Sequence, residues 1–286
     1  MILRNLLSAV FLISLSITGC IKSNPQVLSS SNTELSSPPK SADSVSNNPN
    51  KILIDASRDG GVWWFPQGDG AQFKAADYHQ GKPLVDWLIG QGYQVDELPR
   101  GTTLTTTLLR NYTKIIRTGS FGLDYSDNEM QAYEDFINRK GSLLLMQEFI
   151  NTSYNGSQND KLSEYLGITF EGTVIAPDSS FNGLITVFNE HAITAGVSAL
   201  PFIAGSGVTN TKDNKDITIL GSFDNGYFLD RNFDRLYDGN DIKAPPVMGI
   251  LNSFPNCRIF FIGDVNGLES LPQPFTQNLM DWLFKD

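Results

Sequence analysis

The sequence has few cysteines, no excess of basic residues and no phosphate-binding motif. Its 286 residues include two cysteines, which are too few for a disulfide framework. Acidic residues outnumber basic residues by 31 to 21, which gives a formal net charge of -10, and no basic run interrupts this excess. Such a surface repels phosphate backbones, so we expect no nucleic acid partner. Neither GxxxxGK nor GxGxxG occurs, and nucleotide binding therefore has no support.

The first 19 residues have the features of a secretory signal. Arg4 supplies a positive n-region, and Leu6–Ile17 form an apolar segment that is too short to span a bilayer comfortably. The following Ile17-Thr18-Gly19-Cys20 resembles the bacterial lipoprotein signal, which implies cleavage before Cys20 and lipidation of Cys20 as a membrane anchor. An ordinary secretory signal or an N-terminal membrane helix is the alternative. Because Ile21 rather than Asp follows the cysteine, the Gram-negative sorting rule favours the outer membrane over the inner membrane of the cell envelope.

Residues 20–50 form a polar segment between this signal and the remainder of the chain. The segment is rich in Ser, Asn, Pro and Lys and has almost no large apolar side chain. It cannot bury enough surface to offset its ordering entropy, so we predict a disordered tether. A single folded domain over residues 51–286 is then expected.

From residue 51 onward, predicted strands alternate with predicted helices. The apolar runs Lys51–Ala56 and Ser142–Met146 are typical of strands covered on both faces, and hence of a parallel sheet. The clearest helix begins at a capping box made by Ser126 and Glu129 and ends before Gly141, which is predicted as the glycine after the helix. The alternation predicts an α/β domain with a mostly parallel central sheet.

Several segments resemble the class I glutamine amidotransferase-like superfamily, and more narrowly its uncharacterised, secreted or membrane-tethered branch. They are KILIDASRDGGVWWFP from residue 51, NEHAITAGV from residue 189 and CRIFFIGDVNGLESLPQPFTQNLMDWLF from residue 257. The resemblance extends over residues 51–284. It implies a flavodoxin-like three-layer sandwich but not an activity.

The sequence departs from this family at the catalytic nucleophile. Amidotransferases of the family place a cysteine on a strained turn after a strand, and Gln147 or Glu148 holds the equivalent place here. A downstream His-x-Glu pair is also missing, so glutamine amidotransferase activity is not expected. Cys257 stands at the start of a predicted strand, away from the carboxyl ends, and we interpret it as a structural thiol. His191, in the resembling NEHAITAGV segment, is likewise interpreted as structural.

Acidic side chains follow several predicted strands. Asp55, Glu148 and Asp264 end strands, and Asp59 lies in the turn after the first. Since the carboxyl ends of parallel strands meet at one edge, these residues with His79 would form an acid and base pair or hold a divalent cation. The alternative is a set of carboxylates that cap turns, with His79 capping a helix.

An aromatic loop follows the first strand. Trp63 and Trp64 would stack on a sugar or on another flat apolar ligand, or else pack on their own core. The candidate catalytic residues are thus Asp55, His79 and Glu148, and the candidate ligand-binding residues are Asp55, Arg58, Asp59, Trp63, Trp64, His79 and Asp264.

A second acidic segment fits a calcium-binding template weakly. The residues at template positions 1, 3, 5, 9 and 12 are Asp230, Asn232, Asp234, Asp238 and Asp241. Arg235 replaces the template's glycine at position 6, and Asp241 replaces its bidentate Glu. Calcium is the one cofactor that the sequence suggests, and a solvated acidic loop is the alternative.

These observations leave three hypotheses for function. The first is a non-catalytic, lipid-anchored envelope domain that binds a ligand or a protein partner. The second is an envelope hydrolase that acts on a carbohydrate or a related substrate through its carboxylates and His79. The third is a purely structural envelope component. The partners that we expect are the membrane, through Cys20, and an envelope protein or a saccharide.

Overall fold

The computed structural model describes residues 48–59, 80–150, 159–210, 214–255, 257–271 and 273–285. The expectations for the signal, for Cys20, and for nearly all of the tether concern residues outside these ranges. Across the described ranges, no helix combines the length and apolar character needed to cross a membrane.

The described residues form strands and helices in alternation at first and mainly strands later. The strands are β1 (Lys51–Asp55), β2 (Gln94–Leu98), β3 (Lys114–Arg117), β4 (Ser142–Met146), β5 (Phe170–Glu171), β6 (Thr173–Ile175), β7 (Asn182–Ile185), β8 (Val187–Phe188), β9 (Leu200–Ile203), β10 (Gly207–Val208), β11 (Ile217–Ser222), β12 (Phe228–Asp230), β13 (Ile242–Lys243), β14 (Pro246–Leu251) and β15 (Arg258–Ile262). The helices are α1 (Lys82–Gly90), α2 (Thr106–Leu109), α3 (Asp127–Asn138), α4 (Lys161–Tyr165) and α5 (Phe275–Phe284), with 3-10 turns at Ala192–Thr194 and Asn266–Leu268.

An eight-stranded sheet lies at the centre, in the order β2-β1-β3-β4-β15-β14-β11-β8. The first five of these strands pair in parallel, in the 2-1-3-4-5 order of flavodoxin-like folds, with β15 as the fifth strand. The other three add in antiparallel fashion. The prediction of a flavodoxin-like α/β sandwich with a mostly parallel central sheet is confirmed.

The sheet is covered on both faces, which explains its apolar strands. In β4, Leu144 and Met146 belong to one hydrophobic cluster, and Leu143 and Leu145 to another, as the alternation of side chains along a strand requires. We call these two sides face A and face B. Helices α1 and α5 contribute to the cluster on face A, and α2, α3 and α4 to that on face B. The three-layer arrangement follows.

Helix α3 begins as predicted but ends differently. The Ser126 side chain accepts from the Glu129 N–H, and the Glu129 carboxylate accepts from the Ser126 N–H, so the capping box is confirmed. The prediction that Gly141 is the left-handed residue after the helix is wrong, because Lys140 takes that conformation with φ of 69°. Gly141 serves another need: a Cβ there would lie 2.3 Å from the Phe136 ring.

Helix α2 is shorter than the predicted helix over Thr102–Tyr112. The Thr105 side chain caps it by accepting from the Leu108 N–H at 3.1 Å. The Leu104 N–H is held outside the helix, since it donates to the Glu129 carboxylate at 3.0 Å. A tertiary hydrogen bond therefore sets this boundary.

The segment between α4 and β11 covers the carboxyl ends of β4 and β15. Its β5, β6, β7, β9 and β10 take part in three small antiparallel sheets outside the central one. The Ile150 N–H donates to the Gly172 carbonyl at 3.1 Å, and the Ser206 N–H donates to the Gly263 carbonyl at 2.8 Å. We call this segment between α4 and β11 the ribbon. The two bonds hold it directly beyond β4 and β15, where an open α/β sheet usually leaves its ligand crevice.

Candidate functional site

The turn after β4 holds the position at which the resembling family has its cysteine. Gln147 is fully buried, and its side-chain oxygen accepts from the Ser120 N–H at 3.0 Å. Its backbone N–H donates to the Ile262 carbonyl at 2.9 Å, which ties the turn to β15. The position thus carries a buried amide that joins neighbouring loops rather than an exposed nucleophile.

Cys257 lies at the opposite edge of the sheet. It directly precedes β15 and is buried in the face-B cluster, where burial raises the pKa of its thiol to about 12. A thiolate is the reactive form of cysteine, so this thiol is inert at neutral pH.

Glu148 and Asp264 form a buried carboxyl pair at the carboxyl ends of β4 and β15. Met146 pairs with Ile262 at the ends of these adjacent parallel strands, and each carboxyl stands two residues further along its chain. The Asp264 charge acts on Glu148, so the two carboxyls lie close together beyond these strand ends, and the Asp264 carboxylate accepts from the Ile203 N–H of β9.

Burial and charge shift the titration of this pair. Burial raises the pKa of Glu148 well above its ordinary range, with a further rise from the charge of Asp264, although the Phe149 and Val265 N–H groups favour its charged form. Burial also raises the pKa of Asp264 to about 7, against the N–H groups of Asn266 and Ile203, each 2.7 Å from the carboxylate. The pair accordingly holds a proton at neutral pH and has the capacity to act as an acid.

Asp59 belongs to the same edge. Its side chain is fully buried, and its charge contributes to the raised pKa of Glu148. The Arg100 guanidinium donates to the Asp59 carbonyl at 2.5 Å and to the Phe121 carbonyl at 3.0 Å, which fixes the turn after β1. The sequence-predicted carboxylates Asp59, Glu148 and Asp264 are thus brought together.

Asp55 has other partners. One carboxylate oxygen accepts from the hydroxyls of Tyr125 and Tyr133 at 2.8 and 2.5 Å, and the other from the Ser57 N–H at 3.0 Å. Burial and the Asp55 charge raise the pKa of both tyrosines well above the ordinary range, so both remain hydroxyl donors. Asp55 is consequently engaged on face B with α3 and with Tyr125, just before α3, and its described side-chain hydrogen bonds do not include Glu148.

Arg58 extends this face-B network. Its guanidinium lies 2.7 Å from the Glu129 carboxylate and stacks over the Tyr125 ring at 4.5 Å. Deeper on the same face, Arg117 pairs with Asp160 at 3.4 Å, and both side chains are fully buried. Such paired and buried charges fix the positions of α3 and α4 on the sheet.

Three predicted site residues, His79, Trp63 and Trp64, lie outside the described residues. His191, by contrast, has a structural position, as interpreted from the sequence. Its Nδ1 accepts from the Ile193 N–H at 3.2 Å, and its ring meets the edge of Trp282 with 5.7 Å between centroids. Burial lowers the pKa of His191, so the neutral ring acts as a cap.

A cavity of about 350 Å³ opens beside the carboxyl pair. One wall, Phe149, follows Glu148, and another, Ala204, precedes Gly205, where an added Cβ would lie 2.7 Å from the Asp264 Cβ. We call this cavity the edge pocket. Its lining residues are Phe149, Thr173, Phe181, Ala204, Asp230, Phe233 and Arg235.

Three non-glycine residues in the walls of the edge pocket have a left-handed backbone. Ala204, Phe233 and Arg235 have φ of 57°, 65° and 62°, in the left-handed region that favours glycine. The Asp230 carboxylate, which is almost fully buried, accepts from the N–H groups of Phe233 and Arg235 at 2.6 and 2.8 Å and so holds both conformations. Non-glycine residues persist in the left-handed region only where the surrounding structure holds them there. Such residues are frequent at ligand-binding sites.

The acidic segment 230–241 uses its side chains within the loop. Arg235, at the template's glycine position, has the left-handed backbone that the template requires. The Asp234 and Asp238 carboxylates both accept from the Asn232 amide, at 3.1 and 3.0 Å, and Asp241 accepts from the N–H groups of Arg231 and Asp238. Among the residues that the structure describes, no three His, Cys, Asp or Glu side chains are grouped to hold a metal ion. Calcium binding stays a prediction.

Sequence reasoning missed the edge pocket as a site. Its residues come from four separate segments, near positions 149, 173–181, 204 and 230–235, that only long-range pairing brings together. The one signal in the sequence was general: the loop mixes large apolar and basic residues, Phe233 and Arg235 among them, with its acidic residues.

Neither a family model nor a curated protein matches the chain. Among solved structures, the mmIFT52 N-terminal domain matches with a TM-score of 0.57 at 14% identity, over 82% of this chain and 98% of that one. At this identity the likeness shows a shared fold alone.

Two further solved structures match less well. A putative ThuA-like protein from Bacteroides uniformis ATCC 8492 has a TM-score of 0.46 at 17% identity, over 85% of this chain and 92% of that one. The β-galactosidase from Rahnella sp. R3 has a TM-score of 0.48 at 13% identity, over 82% of this chain and 31% of that one. ThuA-like proteins share the class I glutamine amidotransferase-like fold, but at these scores the fold assignment rests on the strand order and the first match.

Proposed function

We propose that this chain is a lipid-anchored, non-catalytic domain of the bacterial cell envelope that binds a small ligand in the edge pocket. The observation that carries the proposal is the pocket itself, a cavity of about 350 Å³ at the carboxyl edge whose walls hold three left-handed, non-glycine residues. Ligand sites in open α/β sheets occur at this edge, and cavities of roughly 300–1,000 Å³ suit small molecules.

Two features of the described residues favour binding over catalysis. Gln147 or Glu148 holds the place of the family's nucleophile, neither is a thiol, and the buried Gln147 amide bonds to the Ser120 loop. The acid and base pairing expected for a hydrolase also lacks support, because Asp55 bonds to Tyr125 and Tyr133 on face B, whereas Glu148 lies beside Asp264.

A pair of matched variants tests whether the edge pocket is the binding site. Ala204 and Ala244 are both half-buried alanines with left-handed backbone, at φ of 57° and 51°, and only Ala204 lines the pocket. We expect Ala204→Phe to fill the pocket and abolish ligand-induced thermal stabilisation, whereas Ala244→Phe retains it.

The screen uses the full chain in mild detergent with sugars, peptidoglycan fragments, small organic acids and divalent metals. A ligand that raises the melting temperature of the wild type and of Ala244→Phe but not of Ala204→Phe supports the proposal. A ligand that stabilises all three proteins equally, or no stabilisation by any compound, contradicts it.

The envelope address rests on the signal-like sequence that ends at Cys20. We expect the wild-type chain to incorporate radiolabelled palmitate and to sediment with membranes, and Cys20→Ser to do neither. Equal sedimentation and labelling of both proteins would exclude a lipid anchor at Cys20.

An envelope hydrolase is the alternative, and the carboxyl pair is the observation that favours it. Groups with strongly shifted pKa are frequent in active sites, and Glu148 directly precedes Phe149, which lines the edge pocket. This alternative requires hydrolysis of an oligosaccharide by the wild type that Glu148→Gln lowers at least about a hundredfold, the range of general acid catalysis. Equal rates for both proteins would remove it.

A further inference from the structure

Arg235 is the one basic residue among the described residues that line the edge pocket. We propose that the pocket takes a small organic anion with a flat apolar part, whose negative group binds the Arg235 guanidinium. This inference rests on the proposed function, since it names the ligand class of the same pocket.

The Arg235 guanidinium is available to a ligand. No described carboxylate forms an ion pair with it, and its carbon Cζ lies over the Phe181 ring, 4.3 Å from the ring centroid. This contact uses the charge of the guanidinium but none of its N–H groups as hydrogen-bond donors, so they remain free to donate to a ligand. Planar N–H donors of this kind suit a carboxylate or a phosphate in a two-point contact.

The negative group of the pocket is already engaged by the loop. Asp230 is about 1% exposed, and its two oxygens accept from the N–H groups of Asn232, Phe233 and Arg235 at 3.2, 2.6 and 2.8 Å. Three donors and burial leave this carboxylate little capacity to bind a cationic ligand. The charged group that is left to face an incoming ligand is therefore the guanidinium.

The position of Arg235 is fixed before a ligand arrives. Its backbone takes φ of 62°, the Asp230 carboxylate holds its N–H, and Phe181 supports its side chain. Arg235 is exposed, but these contacts are in place beforehand and reduce the side-chain freedom that it loses on binding.

The remaining walls select the rest of the ligand. Phe149, Phe181 and Phe233 offer aromatic surface to a flat apolar group. The formal charge of -10 on the whole chain repels highly charged anions at long range. Local attraction at one arginine with overall repulsion favours a singly charged, amphipathic compound over a polyanion.

The experiment compares charge variants of one probe. Phenylacetate carries the negative group and the flat ring, phenylacetamide is its neutral analogue, and phenethylamine is a cationic one. Binding to the full chain in mild detergent is measured by ligand-observed NMR titration, at low and at physiological salt.

Arg235→Gln removes the charge, and Arg231→Gln is the matched control. Arg231 lies in the same loop but pairs with Glu171 at 2.7 Å and does not line the pocket. We expect phenylacetate to bind at least about tenfold more tightly than phenylacetamide, and this preference to be lost in Arg235→Gln and kept in Arg231→Gln. Arg235→Lys should retain part of it, since the charge remains.

The outcomes separate this inference from the proposed function. If phenylacetate and phenylacetamide bind equally to the wild type and both are blocked by Ala204→Phe, the pocket binds ligands but the anion inference is wrong. If phenethylamine is preferred, or Arg235→Gln leaves the preference for phenylacetate intact, the inference is also wrong. If no probe binds the wild type, the inference falls for this ligand class, and the screen with Ala204→Phe and Ala244→Phe decides on the pocket.

Discussion

The buried carboxyl pair is expected to make the domain less stable as the pH rises. Replacement of Glu148 by glutamine should remove part of this loss. Burial and the charge of Asp264 raise the pKa of Glu148 well above its ordinary range, and burial raises that of Asp264 from 3.8 to about 7. Between pH 3.8 and about 7 the folded domain therefore binds more protons than the unfolded chain. The free energy of unfolding therefore falls as the pH rises from about 4, where unfolded carboxyls ionise, through about 7, where folded Asp264 ionises.

The size of the effect follows from proton linkage. A group that is protonated when folded and ionised when unfolded lowers the free energy of unfolding by at most ~1.4 kcal/mol per pH unit. Near pH 6 the wild type has two such groups, Glu148 and Asp264, so its limiting slope from the pair is about -2.7 kcal/mol per pH unit. Glu148→Gln leaves one of them, and the limiting slope is then about -1.4 kcal/mol per pH unit.

Urea unfolding of the full chain, followed by far-UV circular dichroism between pH 5 and pH 8, measures this slope. At pH 5 a glutamine amide resembles the protonated Glu148 and keeps an acceptor for the Phe149 N–H, so we expect stabilities within ~1 kcal/mol of each other. At pH 8 the variant should be the more stable protein. Glu164→Gln, at an exposed residue of α4, is the control and should follow the wild type.

Two results would refute this reasoning. Identical slopes for the wild type and Glu148→Gln would show that Glu148 does not hold a proton in the folded domain. A large destabilisation of the variant at every pH, including pH 5, would show that the folded state needs an ionised carboxylate at this position.

Three further predictions concern packing, buried polar groups and thiol chemistry. Gly141→Ala places a methyl group against the Phe136 ring of α3 and should lower the free energy of unfolding in urea by ~1–3 kcal/mol. Gly90→Ala, which has open space around it in α1, should leave that free energy unchanged or raise it by up to ~1 kcal/mol. Tyr133→Phe leaves the buried Asp55 carboxylate with one hydroxyl donor fewer and should lower the free energy of unfolding by ~1–3 kcal/mol; an unchanged value would exclude this bond as a stabilising contact. Cys257, whose burial raises its pKa to about 12, should resist iodoacetamide at pH 8 in native protein and react in urea, as mass spectrometry would record; alkylation of the native protein would contradict its burial.

The parallel half of the sheet was readable from the sequence because its signals are local. The apolar run at Lys51 and the capping box of Ser126 and Glu129 depend on neighbouring residues only, and the structure has both. The end of α3 was misread because the sequence offers Gly141 beside Lys140. Glycine there satisfies the Phe136 ring rather than the backbone, a tertiary contact that local sequence does not reveal.

The carboxylates show a second limit. The acids at the strand ends were expected to meet, but strand alternation sends Asp55 toward face B with Leu53, whereas Glu148 lies beside Asp264. Counting side-chain parity from the apolar residues would have separated them. The ribbon over the edge pocket had no such signal, since its strands are only two to four residues long.

At the three left-handed wall residues, the residue type that is best for stability differs from the type that is best for ligand binding. Glycine at Ala204, Phe233 or Arg235 would relax a backbone strain of about 1 kcal/mol at each position, so a library sorted for expression or heat resistance should enrich glycine there. The same library sorted for ligand capture should deplete glycine at Phe233 and Arg235, because their side chains form the pocket. Opposite enrichment at the same codons would mark these positions as kept by selection for recognition at the expense of robustness.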